Sequence, residues 1–223
     1  MIRTNILLVD DHPITIDGYV NILHNQKHYH TPIDFTKAYS CEEAYLKITK
    51  RFLSQKTIDV AFLDISLPSF ESKNIQNGVD LGALIRQYFP KCKIILLTMH
   101  SERVLIHNAI KKINPEGFIL KNDINAHALV TAYLSIMQGK QFYSATVSKV
   151  HNENTIKKLN FDALDCQILE LISKKIKTKD LPKHLPLSLS AIEKRKAAIK
   201  TKILKDKGSD KELIEQAEKM KLI

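Results

Sequence analysis

The segment Val60–Asp64 constrains the fold more than any other part of the sequence. Its four apolar residues, Val-Ala-Phe-Leu, are followed by a single carboxylate, Asp64. A short apolar run bounded by polar residues is typical of a strand that is buried on both faces. Open α/β sheets contain such strands and carry their functional groups at the carboxyl ends of the strands. Asp64 is therefore predicted to lie at the functional edge of a parallel sheet.

The segments around this strand alternate between short apolar runs and longer stretches of helical periodicity. Apolar runs recur at residues 5–10, 33–35, 93–98 and 117–120. Between them apolar residues repeat at helical spacing, and Ser40 and Glu43 have the spacing of a capping box. Strands that alternate with helices form parallel sheets through right-handed crossovers. Residues 1–144 are therefore predicted to form an α/β domain with a five-stranded parallel sheet and helices on both faces.

The C-terminal third shows a different pattern, with helices alone. Residues 145–158 are polar and lack periodicity, and they are interpreted as a linker. Residues 159–223 contain four predicted helices, at about 164–172, 179–185, 189–203 and 211–222. Ser188 or Ser190 is the predicted N-cap of the third helix, and Ser190 has capping-box spacing to Glu193. The short connections predict a small all-α domain that contains a helix-turn-helix.

The formal net charge of +10 is concentrated towards the C-terminus. Residues 1–150 hold 17 Lys and Arg against 13 Asp and Glu, a net charge of +4, whereas residues 151–223 hold 17 against 11, a net charge of +6. A basic C-terminal domain suits nucleic-acid binding, and a soluble lysine-rich surface is the alternative.

The three cysteines form no C-x-x-C pair, which argues against a disulfide framework or a zinc site. Without a long apolar run or a signal-peptide pattern, the protein is expected to be soluble and cytoplasmic.

Five polar side chains lie at the carboxyl ends of the predicted strands. They are Asp10 and Asp11, Asp64, Thr98, and Lys121, at the ends of the first, third, fourth and fifth strands. Three crowded carboxylates repel one another and are relieved by a proton or a cation, and hard oxygen ligands suit Mg²⁺. The Asp64 carboxylate can then attack a phosphoryl group, while Lys121 supplies positive charge and Thr98 a hydrogen-bond donor. The predicted chemistry is the formation of an acyl phosphate on Asp64.

These residues together resemble the receiver domain of two-component response regulators. The resemblance covers residues 1 to about 144 and rests on Asp10-Asp11-His12-Pro13, on Asp64 with Pro68 four residues later, on Thr98 and on Lys121. It implies a flavodoxin-like fold and phosphotransfer from a sensor histidine kinase to Asp64.

The resemblance also implies a Mg²⁺ site beside the phosphoacceptor. Asp11 and Asp64 would bind the ion directly, Asp10 through water, and Ser66 through its backbone carbonyl. A turn or capping role is the alternative for Asp10 or Asp11 taken alone.

A switch is implied as well, in which Thr98 follows the phosphate and the aromatic ring of Phe118 changes rotamer. A plain core position is the alternative for Phe118.

Two segments depart from the family. Residues 69–77 form a longer loop than usual, and residues 113–116 read Ile-Asn-Pro-Glu where Ala-Gly-Ala is usual.

Residues 163–203 resemble the LuxR-type helix-turn-helix of the NarL/FixJ subfamily. The resemblance rests on Ile168-Leu169-Glu170-Leu171-Ile172, Thr178-Lys179-Asp180-Leu181, Leu185-x-Leu187-Ser188 and Ala191-Ile192. It implies that the third helix enters the major groove of double-stranded promoter DNA. The outer face of that helix is predicted to carry the DNA-binding residues Lys194, Arg195, Lys196, Lys200 and Lys202. Lys179 matches a position that contacts phosphate in the family.

Four residues depart from this second pattern. Lys175 stands where the family often has glycine. Pro182 falls in the second helix, where a proline is tolerated only in the first turn. Glu193 replaces a base-contacting lysine, and it either accepts from a cytosine amine or caps the helix. Lys196 lies where a half-buried valine is usual. The target sequence therefore does not follow from the resemblance.

The favoured hypothesis is a response regulator, not an enzyme, that is phosphorylated on Asp64 and regulates transcription as a homodimer on promoter DNA. Two alternatives are weighed against it. A phosphatase of the haloacid dehalogenase type needs a second aspartate where Ser66 stands. A receiver that does not use phosphate would act through protein contacts or constitutive DNA binding.

Overall fold

The computed structural model describes residues 3–25, 32–204, 208–220 and 222–223, with residue 154 described by its backbone alone. The chain separates into two compact units, Met1–Val147 and Ser148–Ile223. Among the described residues, no helix combines the length and the apolar character needed to cross a membrane.

The first unit is built on a parallel sheet with the strand order β2-β1-β3-β4-β5-β6. The strands are β1 Thr4–Val9, β2 Ile33–Ala38, β3 Val60–Asp64, β4 Lys93–Thr98, β5 Gly117–Leu120 and β6 Phe142–Tyr143. The helices between them are α1 Pro13–His24, α2 Cys41–Leu53, α3 Gly78–Tyr88, α4 Arg103–Ile113 and α5 Ala126–Met137. The predicted α/β fold class is confirmed.

Helices cover both faces of this sheet. Phe62 of β3 faces α1 and α5 and belongs to one apolar cluster with Tyr19 and Tyr133. Successive side chains of a strand point to opposite faces, so the neighbouring Leu63 faces α3, where Gly82 approaches it. Because β3 lies between β1 and β4, all five of its residues are buried. This explains why the apolar run before Asp64 is continuous.

A sixth strand extends the sheet beyond β5 and corrects the prediction of five strands. β6 has two residues, Phe142–Tyr143. The amide of Phe142 donates to the carbonyl of Glu116 at 2.8 Å, and that of Ser144 donates to Phe118 at 2.9 Å. The Ser144 hydroxyl accepts from the amide of Leu120 at 3.1 Å. Two residues are too few to produce a periodic pattern, so the sequence gives no signal for this strand.

The segment interpreted as a linker from its lack of periodicity forms a helix, α6 Ala145–Leu159. Its first turn is capped from elsewhere in the sequence, since the Asp123 carboxylate accepts from both the amide and the hydroxyl of Thr146 at 3.2 Å. Val147 and Val150 are buried, but the few apolar residues of this polar segment are too weak a signal for a helix. The limits of the two predicted domains stay a prediction.

The second unit continues with α7 Ala163–Ser173, a 3₁₀ helix Thr178–Lys183, α8 Leu189–Leu204 and α9 Asp210–Lys219. These helices enclose a core that includes Ile168, Leu181, Ile192 and Leu213. The second predicted helix is 3₁₀ and not α, and Pro182 lies inside it, where it has no amide to donate. Ser188 is the cap of α8, because its hydroxyl accepts from the amide of Ala191 at 3.3 Å.

Candidate functional site

The carboxyl edge of the sheet brings Asp10, Asp64 and Lys121 together. β1, β3 and β5 end at this edge, and the two aspartates are buried. The Lys121 ammonium donates to Asp10 Oδ2 at 2.7 Å and to Asp64 Oδ2 at 2.6 Å. The lysine side chain is itself only 12% exposed. One cation therefore bridges two buried carboxylates from different strands.

Burial controls the ionisation of this group. It raises the pKa of Asp64, against the hydrogen bond and charge of Lys121, which lower it, and the nearby Asp10 raises it again. Burial alone would lower the pKa of Lys121, but its hydrogen bonds to Asp10 and Asp64 raise that pKa above the ordinary value. The lysine is therefore held as a cation, while a further positive charge would favour the ionised form of Asp64.

Asp11 lies beside this pair, where the chain enters α1. Asp10, Asp11 and His12 each place one possible ligand atom within 4.8 Å of the others. His12 Nδ1 lies 2.8 Å from Asp11 Oδ1, and the backbone amide of His12 donates to Asp10 Oδ1 at 3.0 Å. Asp11 and His12 are solvent-accessible, so the group opens to the surface. The sequence gives His12 only as part of the motif Asp10-Asp11-His12-Pro13, and the fold shows its contact with Asp11.

Thr98 lies on β4, the strand next to β3, and Phe118 lies on β5, one strand further along the sheet. Thr98 is buried at the end of β4, and its hydroxyl accepts from the amide of His100 at 3.0 Å. Phe118 is fully buried in β5 and makes an edge contact with Tyr143, with ring centroids 6.4 Å apart. Ser66 follows β3, and its amide donates to Asp64 Oδ1 at 3.2 Å. These contacts orient the carboxylate and the hydroxyl at one edge, and the roles assigned from the resemblance stay proposals.

The long loop after β3 forms a small folded unit. Phe70 and Ile75 pair as an antiparallel bridge, and their two backbone hydrogen bonds measure 2.7 and 3.2 Å. Asn74 turns the chain with a φ of 56°, which asparagine tolerates better than most residues. The Phe70 ring packs on Tyr45 of α2 at a centroid distance of 5.6 Å. The loop returns to the site at Gly78, whose amide donates to the carbonyl of Ile65.

The second departure from the family, residues 113–116, is held by Arg86 of α3. Its guanidinium donates to the carbonyls of Ile113, Asn114 and Cys92 and lies 2.7 Å from Glu116 Oε2. The same Glu116 oxygen accepts from the amide of β4 residue Ile94. The end of α4 is therefore bonded to α3 and to the sheet.

Residues 6–134 of the 223-residue chain match the family described as the response regulator receiver domain. The chain belongs to this family. The resemblance to the receiver domain of response regulators is therefore confirmed. The prediction that the protein is a regulator and not an enzyme is also confirmed.

Similar proteins match either nearly the whole chain or a large part of it. The oxygen regulatory protein NreC of Staphylococcus haemolyticus is 28% identical over 229 residues, and 98% of each chain is covered. The transcriptional regulatory protein MctR of Rhizobium johnstonii is 26% identical over 145 residues, which cover 65% of this chain and 60% of MctR. RcsB from Salmonella enterica serovar Typhimurium, bound to promoter P1flhDC in the presence of phosphomimetic BeF3-, has the same fold with a TM-score of 0.55. It is 21% identical, and the match covers 96% of this chain and 98% of RcsB.

The second unit of the response regulator places the basic residues of α8 differently from the prediction. Arg195 lies 2.8 and 2.7 Å from carboxylate oxygens of Asp162 and Asp165, and the side chain of Lys196 is 14% exposed. Lys196 and Lys200 both pair with Asp210, at 2.5 and 2.8 Å. Their predicted place on the outer face is therefore corrected to the half-buried flanks of α8.

The outer face of α8 is formed mostly by small and uncharged side chains. Opposite the buried Ile192 and Ile199, the exposed residues are Ser190, Glu193, Lys194, Ala197, Ala198 and Thr201. Lys194 is the one predicted contact residue that lies squarely on this face. Lys202 is exposed at its side, where the ammonium donates to the carbonyl of Asn160 and lies 5.1 Å from the centre of the Phe161 ring. Lys179 is exposed at the start of the 3₁₀ helix.

Proposed function

We propose that this response regulator accepts a phosphoryl group on Asp64 and that the modification controls binding of its second unit to promoter DNA. The observation that carries the proposal is the convergence of Asp64, Lys121 and Thr98 at one sheet edge. A sensor histidine kinase would be the donor. An Asp64 oxygen attacks phosphorus, the phosphorus–nitrogen bond of the phosphohistidine breaks, and an acyl phosphate forms.

The surrounding residues have separate tasks in this transfer. Lys121 contacts Asp64 already and would pair with a phosphate oxygen in the product, while the Thr98 hydroxyl would donate to another. Phe118 would take up space that Thr98 vacates, as a switch residue. Its complete burial beside Tyr143 means that such a movement changes the packing of β5 and β6.

The acidic group fits a magnesium ion. Asp10, Asp11 and Asp64 together carry three carboxylates against the single ammonium of Lys121, and all offer the hard oxygen ligands that Mg²⁺ prefers. When bound, the ion supplies the positive charge that brings an anionic phosphoryl group to an anionic nucleophile. Asp11 and Asp64 would hold it directly, Asp10 through water and Ser66 through its carbonyl.

The second unit supports the DNA-binding part of the proposal. Helix α8 follows a short helix and a turn, and its outer face is exposed, as a helix that enters the major groove requires. RcsB, which shares this fold, has been solved on promoter DNA. The chain would bind two half-sites as a homodimer, because two-fold symmetric regulators match palindromic sites.

The test compares wild-type protein with Asp64→Asn, each incubated with acetyl phosphate and Mg²⁺. Wild type is expected to gain one acid-stable, base-labile phosphoryl group and to bind promoter fragments more tightly, whereas the variant gains none. Labelling that persists in Asp64→Asn would refute the assigned acceptor. Tight DNA binding that ignores phosphorylation would instead support the alternative of a receiver that does not use phosphate.

A further inference from the structure

The C-terminal end of α2 borders a small cationic cavity on the surface of the first unit. The cavity has a volume of about 210 Å³ and is lined by six residues, Thr36, Lys47, Lys50, Arg51, Ser54 and Lys56. None of these six described residues is acidic, so the lining carries four formal positive charges. Like charges around one cavity repel one another, and a bound anion would relieve that repulsion.

The spacing of α2 and the turn that follows it bring the four cations together. Lys47, Lys50 and Arg51 are three and four residues apart and therefore lie on one face of the helix. After the helix, Gln55 adopts a φ of 54°, and the amide of Lys56 donates to the carbonyl of Arg51 at 2.9 Å. This turn places Lys56 next to the last turn of α2.

Capping of α2 does not explain the cluster. Cations near a helix C-terminus commonly stabilise its free carbonyls and its dipole. Here the carbonyls of residues 50–52 already accept hydrogen bonds from the backbone amides of residues 54–56, at distances of 2.9 to 3.0 Å. The dipole adds only about half an elementary charge at a helix end, which four cations exceed several times.

Arg51 is half-buried, and its hydrogen-bond acceptors are neutral groups. Its guanidinium donates to the Thr57 carbonyl and the Thr36 hydroxyl, each at 2.8 Å, and to the side-chain oxygen of Asn5 at 3.3 Å. The Asn5 amide donates in turn to Asp59 at 3.2 Å, so a neutral group lies between that carboxylate and the guanidinium. Of the five N–H donors of an arginine, two are left without an acceptor among the described residues.

The three lysines differ in how far their ammonium groups are already engaged. Lys47 donates to the carbonyl of Lys37 at 2.5 Å and pairs with Glu43 at 3.0 Å. Lys50 and Lys56 are exposed, and neither ammonium forms an ion pair or a hydrogen bond with a described residue. Two free ammonium groups and a fixed guanidinium with spare donors therefore surround the cavity.

We propose that this cavity binds the diphosphate group of a small molecule, with Arg51, Lys50 and Lys56 as its partners. Guanidinium and ammonium groups form strong charge-assisted hydrogen bonds to phosphate oxygens. Three of the four cations stay uncompensated once Lys47 is paired with Glu43, and a diphosphate carries several negative charges in a compact volume. The cavity is smaller than the sites that enclose drug-sized ligands, which also favours a compact anion.

The cavity is separate from the site at Asp64. A helix that connects parallel strands runs back against their direction, so the end of α2 lies at the amino ends of the strands. The bonds of Arg51 to Asn5 and Thr57, near the starts of β1 and β3, agree with this position. The anion would therefore bind at the edge of the sheet opposite the phosphoacceptor.

Isothermal titration calorimetry of the full-length protein with pyrophosphate tests the proposal. EDTA is present, so that no metal ion holds the anion at the carboxylates around Asp64. The variant Lys50→Gln/Lys56→Gln is expected to bind pyrophosphate about tenfold more weakly than wild type, because two charge-assisted contacts are lost. Wild type should bind orthophosphate more weakly than pyrophosphate. It should bind ADP no more tightly than pyrophosphate, since the lining offers no aromatic ring to a base.

A matched control removes two other exposed lysines from the first unit. Lys91→Gln/Lys140→Gln changes the net charge by the same amount and should bind pyrophosphate within about twofold of wild type, because distant exposed charges are screened by salt. Thermal unfolding without the anion gives a second measurement. Lys50→Gln/Lys56→Gln should then be at least as stable as wild type, because it removes like charges. Pyrophosphate should raise the midpoint of wild type more than that of the variant.

Three results would overturn the proposal. If Lys50→Gln/Lys56→Gln binds pyrophosphate like wild type, or if the control variant loses as much affinity, the anion binds elsewhere. A lower midpoint of Lys50→Gln/Lys56→Gln without the anion would mean that these lysines stabilise α2 itself. Equal affinities of wild type for orthophosphate and pyrophosphate would refute the diphosphate as ligand. ADP that binds more tightly than pyrophosphate, and loses that affinity in the variant, would support the site and identify a nucleoside diphosphate as its source.

Discussion

Lys121 Nζ lies 2.6 Å from Asp64 Oδ2, and the same ammonium is 2.7 Å from Asp10. The lysine thus neutralises part of the charge that a phosphoryl donor would meet. Because both carboxylates are buried, this ion pair is also a structural element of the sheet edge.

Replacing Lys121 with methionine should destabilise the protein. The substitution keeps the volume but leaves two buried carboxylates unpaired, which costs about 3 kcal/mol of unfolding free energy. Urea denaturation with and without Mg²⁺ measures the effect. Mg²⁺ should stabilise Lys121→Met more than wild type, since the cation binds the folded acidic group. Equal stabilisation of both proteins would argue against a metal site at these carboxylates.

The same pair predicts a response to alkaline pH. Because the pKa of Lys121 is raised in the folded protein, its contribution to stability is complete below the unfolded pKa, near 10.5. That contribution is lost as the pH rises through the folded pKa. Wild-type protein should therefore lose more stability than Lys121→Met in urea titrations above pH 10.5. Parallel losses would show that other groups cause the alkaline unfolding.

Gly78→Ala should distort the segment after β3. A Cβ at Gly78 would lie 1.9 Å from the carbonyl oxygen of Asp64, and backbone atoms yield little. We expect a loss of about 3 kcal/mol in unfolding free energy. Gly18→Ala is the matched control, because a Cβ there meets none of the described atoms within 4 Å. In helix α1 it should raise stability by roughly 0.5–1 kcal/mol. Similar midpoints for the two variants would contradict the close approach.

Arg86→Met should cost more than Lys112→Met, although both residues connect α3 with α4. Arg86 is 24% exposed and serves three carbonyls and Glu116, so its loss should cost about 2–3 kcal/mol. The Lys112 side chain is 51% exposed, and among the described residues its ammonium pairs only with Asp80, which predicts a change below about 1 kcal/mol. Chemical denaturation of the two variants measures both losses of unfolding free energy. Equal losses would mean that Arg86 is not the residue that holds the end of α4.

The cysteines should react with alkylating reagents in a fixed order. Burial raises the pKa of Cys41 to about 11 and that of Cys92 to about 12, so at pH 8 the thiolate fraction of Cys41 is about one in a thousand. Cys166 is only half-buried and should be modified first. Mass spectrometry of the native protein over time follows each site. Early modification of Cys92 would mean that β4 opens locally.

The sequence was informative where one strand produces a recognisable pattern by itself. The buried run before Asp64 predicts β3, and carboxyl ends of parallel strands converge, so the grouping of Asp10, Asp64 and Lys121 could be expected. The contact between His12 and Asp11 could not, because it depends on how α1 leaves the sheet.

In the second unit, the sequence did not predict the ion pairs of α8, because they depend on tertiary packing. Helical spacing shows that Arg195 and Lys196 lie on α8, but it does not show which carboxylates meet them. Asp165 belongs to the capping box of α7 and Asp210 to the first turn of α9. Only the docking of those helix ends against α8 shows that Arg195 and Lys196 form these ion pairs.

The two-residue strand β6 also affects how copies of the first unit behave at high concentration. An exposed edge strand offers unpaired amides and carbonyls to another chain and so promotes aggregation. β6 pairs with Gly117 and Phe118 of β5, and the Ser144 hydroxyl accepts a hydrogen bond from the amide of Leu120. The chain then turns into α6, so the sheet ends in a strand too short to recruit a neighbour. This edge is therefore protected against intermolecular β-pairing by a hydroxyl and one short strand.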